Sequence, residues 1–412
     1  MNYFSVIPEE KTYLRELARR QLEYAGRPEM AERIKAWVAH NRGEGYRPMV
    51  VMEESSFWGD VRPAVRCVSG ACMWLENQLQ QNIFVHENID DDKVIRADVT
   101  VPMKIDVRFL GINAQRKNVE GGIGYHIEPV LADLTRDLAK LSPSVFSYDK
   151  AFTESLKSWV NEMVGDILPA KIVNTANNWT FGVTQRVVDF MGMEGMLLSM
   201  VDEPESFHQL MKMITDDLIR FLRWQEQNAL LLLNNGNDYM GSGSFCFSDE
   251  LPQADFAGQV RSTDTWGHLN SQESVGISPA MYHEFIYPYF VQLASQFGLV
   301  YYGCCEPVDP FWDDSIGCLP NLRKVSISPW CNEAFMADRL AGGKIIYSRK
   351  PSPNFLGIKK EFDAAAFGLH IQNTVNLTKN CKTEYIFRDV YSLHGNLEKI
   401  RQAVSTVRSL TT

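Results

Sequence analysis

The chain has 412 residues, 45% of them apolar and 22% charged, and a formal net charge of −10. That content allows a sizeable core in one large α/β domain or in two domains. The acidic balance, with no basic run of five or more, excludes nucleic acid as the default partner, because phosphate binding needs clustered Lys and Arg.

Residues 9–41 read as a helix, with Leu14, Leu17, Leu22, Met30, Ile34 and Trp37 at helical spacing among charges. Residues 47–52 (RPMVVM) read as a strand with a polar end at Glu53 and Glu54. A helix over 73–83, a turn at Asp90-Asp91-Asp92 and a strand or hairpin arm over 98–109 follow. The stretch 121–126 (GGIGYH) is a Gly-rich loop, but it lacks the Gly-Lys-Ser/Thr ending of a phosphate loop. A helix over 151–164 leads to a short strand, 169–173. Glu203-Pro204-Glu205 starts a long helix running toward Leu233, with Phe207, Leu210, Met211, Ile214 and Leu218 on its apolar face. The longest aliphatic run, 229–233, is far too short to span a bilayer. The segment 238–246 reads as a short strand and loop, and 265–273 as a short element with a polar end. Ser278 and Pro279 form a helix start, and Pro288 is expected to break that helix.

The last third carries four short strands: 299–302, 325–328, 344–347 and 385–387. Each ends in reactive or polar residues: Gly303-Cys304-Cys305-Glu306-Pro307, Pro329-Trp330-Cys331, Ser348-Arg349-Lys350-Pro351 and Arg388-Asp389. Strands alternating with crossover segments imply a parallel sheet with right-handed connections. The expected fold is α/β, a (β/α)8 TIM barrel with a mostly helical N-terminal extension. Residues 1–140 hold the extension and first barrel elements, and 141–412 the main barrel. The active site belongs at the C-terminal strand ends. The N-terminus lacks a signal-peptide pattern, and eight dispersed cysteines fit reduced thiols, so a cytoplasmic location is expected.

Cys304, Cys305 and Glu306 are candidate metal donors, since thiolates and carboxylates bind zinc and a catalytic zinc takes three protein ligands plus an open position. Successive side chains on an extended segment point to opposite sides, so one cysteine ligates and the other packs. Further donors would come from Glu273, His268, Cys331 or His394. Glu273 reads equally as a ligand, a general acid or a cap on the next helix. Arg349 and Lys350 would hold a substrate carboxylate, with Arg the better bidentate partner, or else form a solvated loop. Cys67 and Cys72 lack a zinc-ribbon spacing and read as structural thiols.

These residues carry a resemblance. QESVGISPAMYHEFIYPY (272–289), YGCCEP (302–307), VSISPW (325–330), SRKP (348–351) and GDILP (165–169) resemble the uroporphyrinogen decarboxylase-like superfamily over roughly the C-terminal two-thirds. The resemblance implies a (β/α)8 barrel and one of two chemistries: cofactor-free decarboxylation of porphyrinogen acetates, or zinc-dependent methyl transfer to or from corrinoid proteins. The decarboxylases carry arginines after an Arg-Pro-Val-Trp start. Here Arg47-Pro48-Met49 continues into Glu53 and Glu54, which would repel an anionic tetrapyrrole. The methyltransferases look like His-x-Cys-Gly-Asp at the sixth strand. Aligned on that, Tyr302 takes the histidine position, Cys304 the zinc cysteine and Glu306 the aspartate.

The resemblance therefore implies a methyltransferase moving a methyl group from a small methylated compound, with a methoxyaromatic one among the candidates, to the cobalt of a separate corrinoid protein, with zinc on Cys304, Cys305, Glu273 and His394. Glu273, Glu306 and Tyr302 would be catalytic. Arg349, Lys350, His268 and Trp330 would bind substrate. No Asp-x-His-x-x-Gly stretch occurs, so the cobalamin would arrive on the partner protein. No membrane role is expected, and association into a homo-oligomer stays open. The alternatives are a cofactor-independent decarboxylase acting on a small carboxylic acid, with Arg349 as the clamp, and a non-catalytic binding protein on the same scaffold.

Overall fold

The computed structural model describes residues 3–112, 115–118, 125–178 and 180–411. The glycines of the predicted loop at 121–124 lie outside the described residues. Among the described residues, eight short strands, each in a parallel pairing, organise the chain: β1 (Met49–Met52), β2 (Val99–Pro102), β3 (Ala170–Val173), β4 (Trp266–Leu269), β5 (Leu299–Tyr302), β6 (Leu322–Ile327), β7 (Ile346–Arg349) and β8 (Lys382–Phe387). Six of them form one sheet in the order β1-β8-β7-β6-β5-β4, and β2 pairs with β3 separately. The first strand thus lies beside the last. Among the described residues no ladder joins β1 to β2 or β3 to β4. Antiparallel pairs (Ile105–Arg108 with Val145–Tyr148, and Tyr239–Met240 with Ser244–Phe245) lie outside this framework.

Strand alternation sorts the core. On β5, Val300 and Tyr302 face the helices, where they meet Phe290 and Leu293 of Tyr287–Ala294 and the apolar stripe of Pro204–Gln227. Each such fully buried side chain contributes about 1.5–3 kcal/mol. The opposite face of the sheet is polar. It carries Tyr301, Lys324, Ser326, Ser348 and Glu384, all fully buried.

Local chemistry explains where the elements differ from expectation. The expected helix over 9–41 is two helices, Pro8–Ala25 and Pro28–Asn41, because Pro28 cannot continue the first. The stretch 98–109 splits into β2 and a separate antiparallel strand, Ile105–Arg108. The long helix ends at Gln227, not Leu233. Helix Val183–Asp202 was not foreseen; Gly192 at φ +74 interrupts its pattern. Among the described residues no helix is long and apolar enough to cross a membrane.

The acidic run after the helix Gly70–Asn88 does more than turn the chain. Asp91 and Asp92 are buried against the outer edge of β1. The Val50 amide donates to Asp92 Oδ2 at 2.7 Å and the Met52 amide to Asp91 Oδ2 at 2.9 Å. Carboxylates therefore take the donors that a neighbouring strand would otherwise accept. Arg47 grips Asp92 through both Nη atoms, at 2.8 and 2.9 Å. Asp92→Ala leaves the Val50 amide and Arg47 without this acceptor. It is expected to cost about 2–4 kcal/mol of unfolding free energy, read by urea denaturation.

Candidate active site

The strand ends of β5, β6, β7 and β8 open onto one cavity of about 610 Å³. Cys304 and Cys305 follow β5, Trp330 follows β6, Lys350 follows β7, and Arg388, Asp389 and Tyr391 follow β8; all of them line it. Four of the sequence-selected residues, Cys304, Cys305, Lys350 and Trp330, are thus brought together. Trp330 stands at the rim, 73% exposed.

The β5 turn is built to present the thiols. Gly303 adopts φ +94, a conformation that L side chains rarely take, and redirects the chain. Its carbonyl accepts from Ser242 Oγ at 2.7 Å and from His268 Nε2 at 3.1 Å. The Cys304 carbonyl accepts from Ser326 Oγ at 2.7 Å. Cys304 Sγ lies 3.5 Å from Cys305 Sγ, and the Cys305 thiol donates to Asp389 Oδ2 at 3.5 Å. Hydrogen bonding from Cys305 lowers the Cys304 pKa; burial opposes this, and the charge of Arg388 adds to it. Cys305 is driven the other way by its hydrogen bond to Cys304 and by burial, and stays a thiol.

Lys350 forms the cavity floor. Its ammonium donates to Tyr301 OH at 2.6 Å, Ser348 Oγ at 2.7 Å and Ser348 O at 3.2 Å. Burial lowers its pKa to about 7, against the opposing pull of Glu384 and Cys304; Arg388 and Lys324 add to the lowering. Beneath it, Glu384 accepts from Ser348 Oγ at 2.6 Å, Ser244 Oγ at 2.9 Å, Lys324 Nζ at 3.1 Å and His40 Nε2 at 3.2 Å. Arg388 lies 3.3 Å from Asp389 and 3.6 Å from Glu53, which also accepts from Tyr239. Glu53, an acid where the decarboxylases carry their arginines, is therefore balanced by Arg388.

Several expected roles are corrected by placement. Tyr302 faces away from the cavity, and its hydroxyl meets Ser271 Oγ at 2.7 Å and Tyr282 OH at 2.5 Å. Tyr301 is the residue on the inner face. Arg349 likewise points outward: it donates to Glu333 Oε1 at 2.6 Å and Ser328 O at 2.9 Å, so it holds no substrate carboxylate. Glu306 is a brace. Its two oxygens accept from the Ser271 and Cys304 amides at 3.0 and 2.9 Å, tying two strand ends together, and burial raises its pKa against those bonds. His268 is buried against Gly241 and its pKa falls to about 4 through burial, so it is neutral and lies off this cavity.

Glu273 opens onto a different cavity of about 860 Å³, where it accepts from Thr184 Oγ1 at 2.7 Å; burial raises its pKa. His394 Nε2 is held by the Gly357 carbonyl at 2.9 Å. Cys331 is buried in the core, near Val308 and Ser328. The donors assigned to zinc therefore do not converge. Among the described residues no three His, Cys, Asp or Glu side chains are grouped so as to hold a metal ion. The residues present do not fit the expected zinc site.

Sequence reasoning missed Tyr301, Ser348, Arg388 and Glu384 as parts of this site. For the first two the missing signal was strand parity, and Arg388 had been read only as a strand end. Glu384 lies deep in β8 and carries no signal at a strand end.

No family model matches the chain. No curated protein matches it. A solved structure, a methyltransferase from Methanosarcina mazei, superposes over 90% of this chain and 97% of its own, with a TM-score of 0.47 and 10% sequence identity. A likeness that distant carries no functional argument.

Proposed function

We propose that the eight strands form a (β/α)8 barrel and that the chain is an enzyme. In this reading it moves a methyl group from a small methylated compound, bound in the strand-end cavity, to the corrinoid of a separate protein. The observation that carries the reading is the convergence of Cys304, Trp330 and Lys350, from three consecutive strands, on one cavity. Exposed Trp330 and Tyr391 at its rim leave it accessible to a docking partner and offer an aromatic face to a methoxylated ring.

A methyl ether or amine is a poor donor until its heteroatom gains a proton or a Lewis acid. The corrinoid, when docked, supplies the nucleophile that takes the methyl group. Lys350 supplies the proton: it lines the cavity with a pKa lowered to about 7, and it protonates the departing heteroatom in exchange for one of its bonds to Tyr301 and Ser348. Glu384 is the larger of the two acids that raise the Lys350 pKa against burial, and Cys304 adds to it. Cys304→Ala is then expected to move the alkaline limb of the pH–rate profile to lower pH, because Lys350 loses an anion that raises its pKa.

The test is a labelled-methyl assay with methoxyaromatic and methylamine donors, with and without a corrinoid protein. Methyl transfer only when both donor and corrinoid protein are present supports the reading. The second reading, decarboxylation of a small acid, is favoured by one observation: Lys350 and Arg388 both line the cavity and would hold a carboxylate. Release of CO2 with no corrinoid requirement would replace the first reading with the second.

A further inference from the structure

The methyl-transfer reading uses Cys304 and leaves Cys305 without a task. Two adjacent cysteines whose side chains both reach one cavity are unusual geometry, because an extended segment would send them to opposite sides. The Gly303 turn removes that alternation. The two sulfurs sit 3.5 Å apart, and both line the cavity, which is open to small solutes. Cys304 is fixed by its amide on Glu306 and its carbonyl on Ser326 Oγ, so the contact does not depend on a loose loop. Asp389 stands at the far side of Cys305, accepting its thiol proton. Together these are an attacking sulfur, a second thiol in contact with it and a base for that thiol.

We propose that Cys304 and Cys305 form a redox-active dithiol, in which a hydroperoxide oxidises Cys304 and Cys305 closes a disulfide between the two adjacent residues. In the first step the Cys304 thiolate attacks one peroxide oxygen. The O–O bond breaks, Cys304 becomes a sulfenic acid, and hydroxide leaves, or the alkoxide where the peroxide is organic. In the second step the Cys305 sulfur attacks Cys304 while its proton passes by way of Asp389 toward the leaving hydroxide. The S–OH bond breaks, hydroxide departs as water with that proton, and the S–S bond forms. A thiol reductant reverses the change by exchange. Adjacent Cα atoms are only ~3.8 Å apart across a trans peptide, closer than the roughly 4.4–6.8 Å usual for disulfides. The bond is therefore strained and easily reduced, which suits a reversible modification. Its formation ties up Cys304, which lines the cavity beside Lys350, and so alters the site that the proposed reaction uses.

The experiment treats the reduced full-length chain with hydrogen peroxide, blocks remaining thiols with an alkylating reagent and measures the mass of the peptide holding residues 304 and 305. The expected result is loss of two hydrogens with neither cysteine alkylated, and return of both labels after dithiothreitol. Cys305→Ser should stop at a sulfenic acid that dimedone captures. Cys304→Ser should leave Cys305 reduced and fully alkylated. A measurement on the unmutated chain stands beside these: a trivalent phenylarsenical, which needs two neighbouring thiols, should protect both cysteines from alkylation. Oxidation of Cys304 to sulfinic acid without a disulfide, equal oxidation of Cys305 in Cys304→Ser, or no protection by the arsenical would each overturn the proposal. The readout is mass, not turnover. A disulfide that forms in a chain lacking methyl transfer leaves this inference standing and removes the proposed function alone.

Discussion

Glu384→Ala is expected to lower the unfolding free energy by about 3–5 kcal/mol, the cost of breaking a buried ion pair by removing one partner. Glu384 is completely buried on the inner face of β8 and serves four donors at once: Lys324, His40, Ser244 and Ser348. Its loss strands the Lys324 ammonium, itself fully buried between the rings of Trp37 and Trp266. Lys324 would then be forced toward neutrality, since burial already lowers its pKa. Burial acts to raise the Glu384 pKa, but Lys324, His40 and Lys350 outweigh it and hold the carboxylate well below its usual range. A depressed acid contributes stability that is present above its unfolded pKa and lost as pH falls through its folded value. The gap between wild type and variant should therefore be at least as large at mildly acidic as at neutral pH, because the stranded Lys324 makes the variant weaker as pH falls. Chemical denaturation at several pH values checks this. A gap that closed already near pH 6 would contradict it.

Lys350→Met is expected to have the opposite effect on stability while removing activity. If Lys350 is the proton donor, its loss costs roughly 10²–10⁴-fold in turnover. The Michaelis constant should change less, because methionine keeps most of the volume. The stability sign follows from a pKa lowered by burial to about 7. The unfolded lysine titrates near ~10.4, so between these values the unfolded chain binds more protons and stability rises with pH. Below about pH 7 the full cost of the buried ammonium is present, on the order of 4 kcal/mol. The methionine variant lacks that charge. It should melt higher than wild type at pH 6, with the advantage shrinking toward pH 10. Thermal melts at the two pH values decide the matter. A variant less stable than wild type at pH 6 would show that the hydrogen bonds to Tyr301 and Ser348 outweigh the burial of charge.

The positions of the strands were legible in the sequence far better than the directions of their side chains. Residues 299–302 form β5 as read, and the C-terminal ends of β6, β7 and β8 lie within two residues of expectation. Apolar runs bounded by Gly and Pro carry that information locally. Direction is another matter. The β5 and β7 runs are buried on both faces, so no apolar–polar alternation marks the inward side. The motif alignment placed Tyr302 in the site and the strand-end position placed Arg349 there, but the pleat turns both outward and puts Tyr301 and Ser348 inside. The metal set failed for a related reason. Glu273 follows β4 and His394 follows β8, with β5, β6 and β7 between them in the sheet, and their side chains are claimed by Thr184 and the Gly357 carbonyl. Those partners are 89 and 37 residues away in the chain, and no local pattern encodes them.

The carboxylates of Asp91 and Asp92 along β1 have a consequence for the fate of the molecule in a crowded solution. A strand with one open edge invites a stranger's backbone to add to it, and so starts a chain of molecules. Here the inviting amides are already occupied by anions that belong to the same polypeptide. An intruding strand would have to evict a charged group held by Arg47 before it made its first bond. The seam beside β1 is thereby sealed without being stitched. The stretch between Met52 and Val99 supplies both carboxylates, and the edge stays inert while Asp91 and Asp92 keep their places.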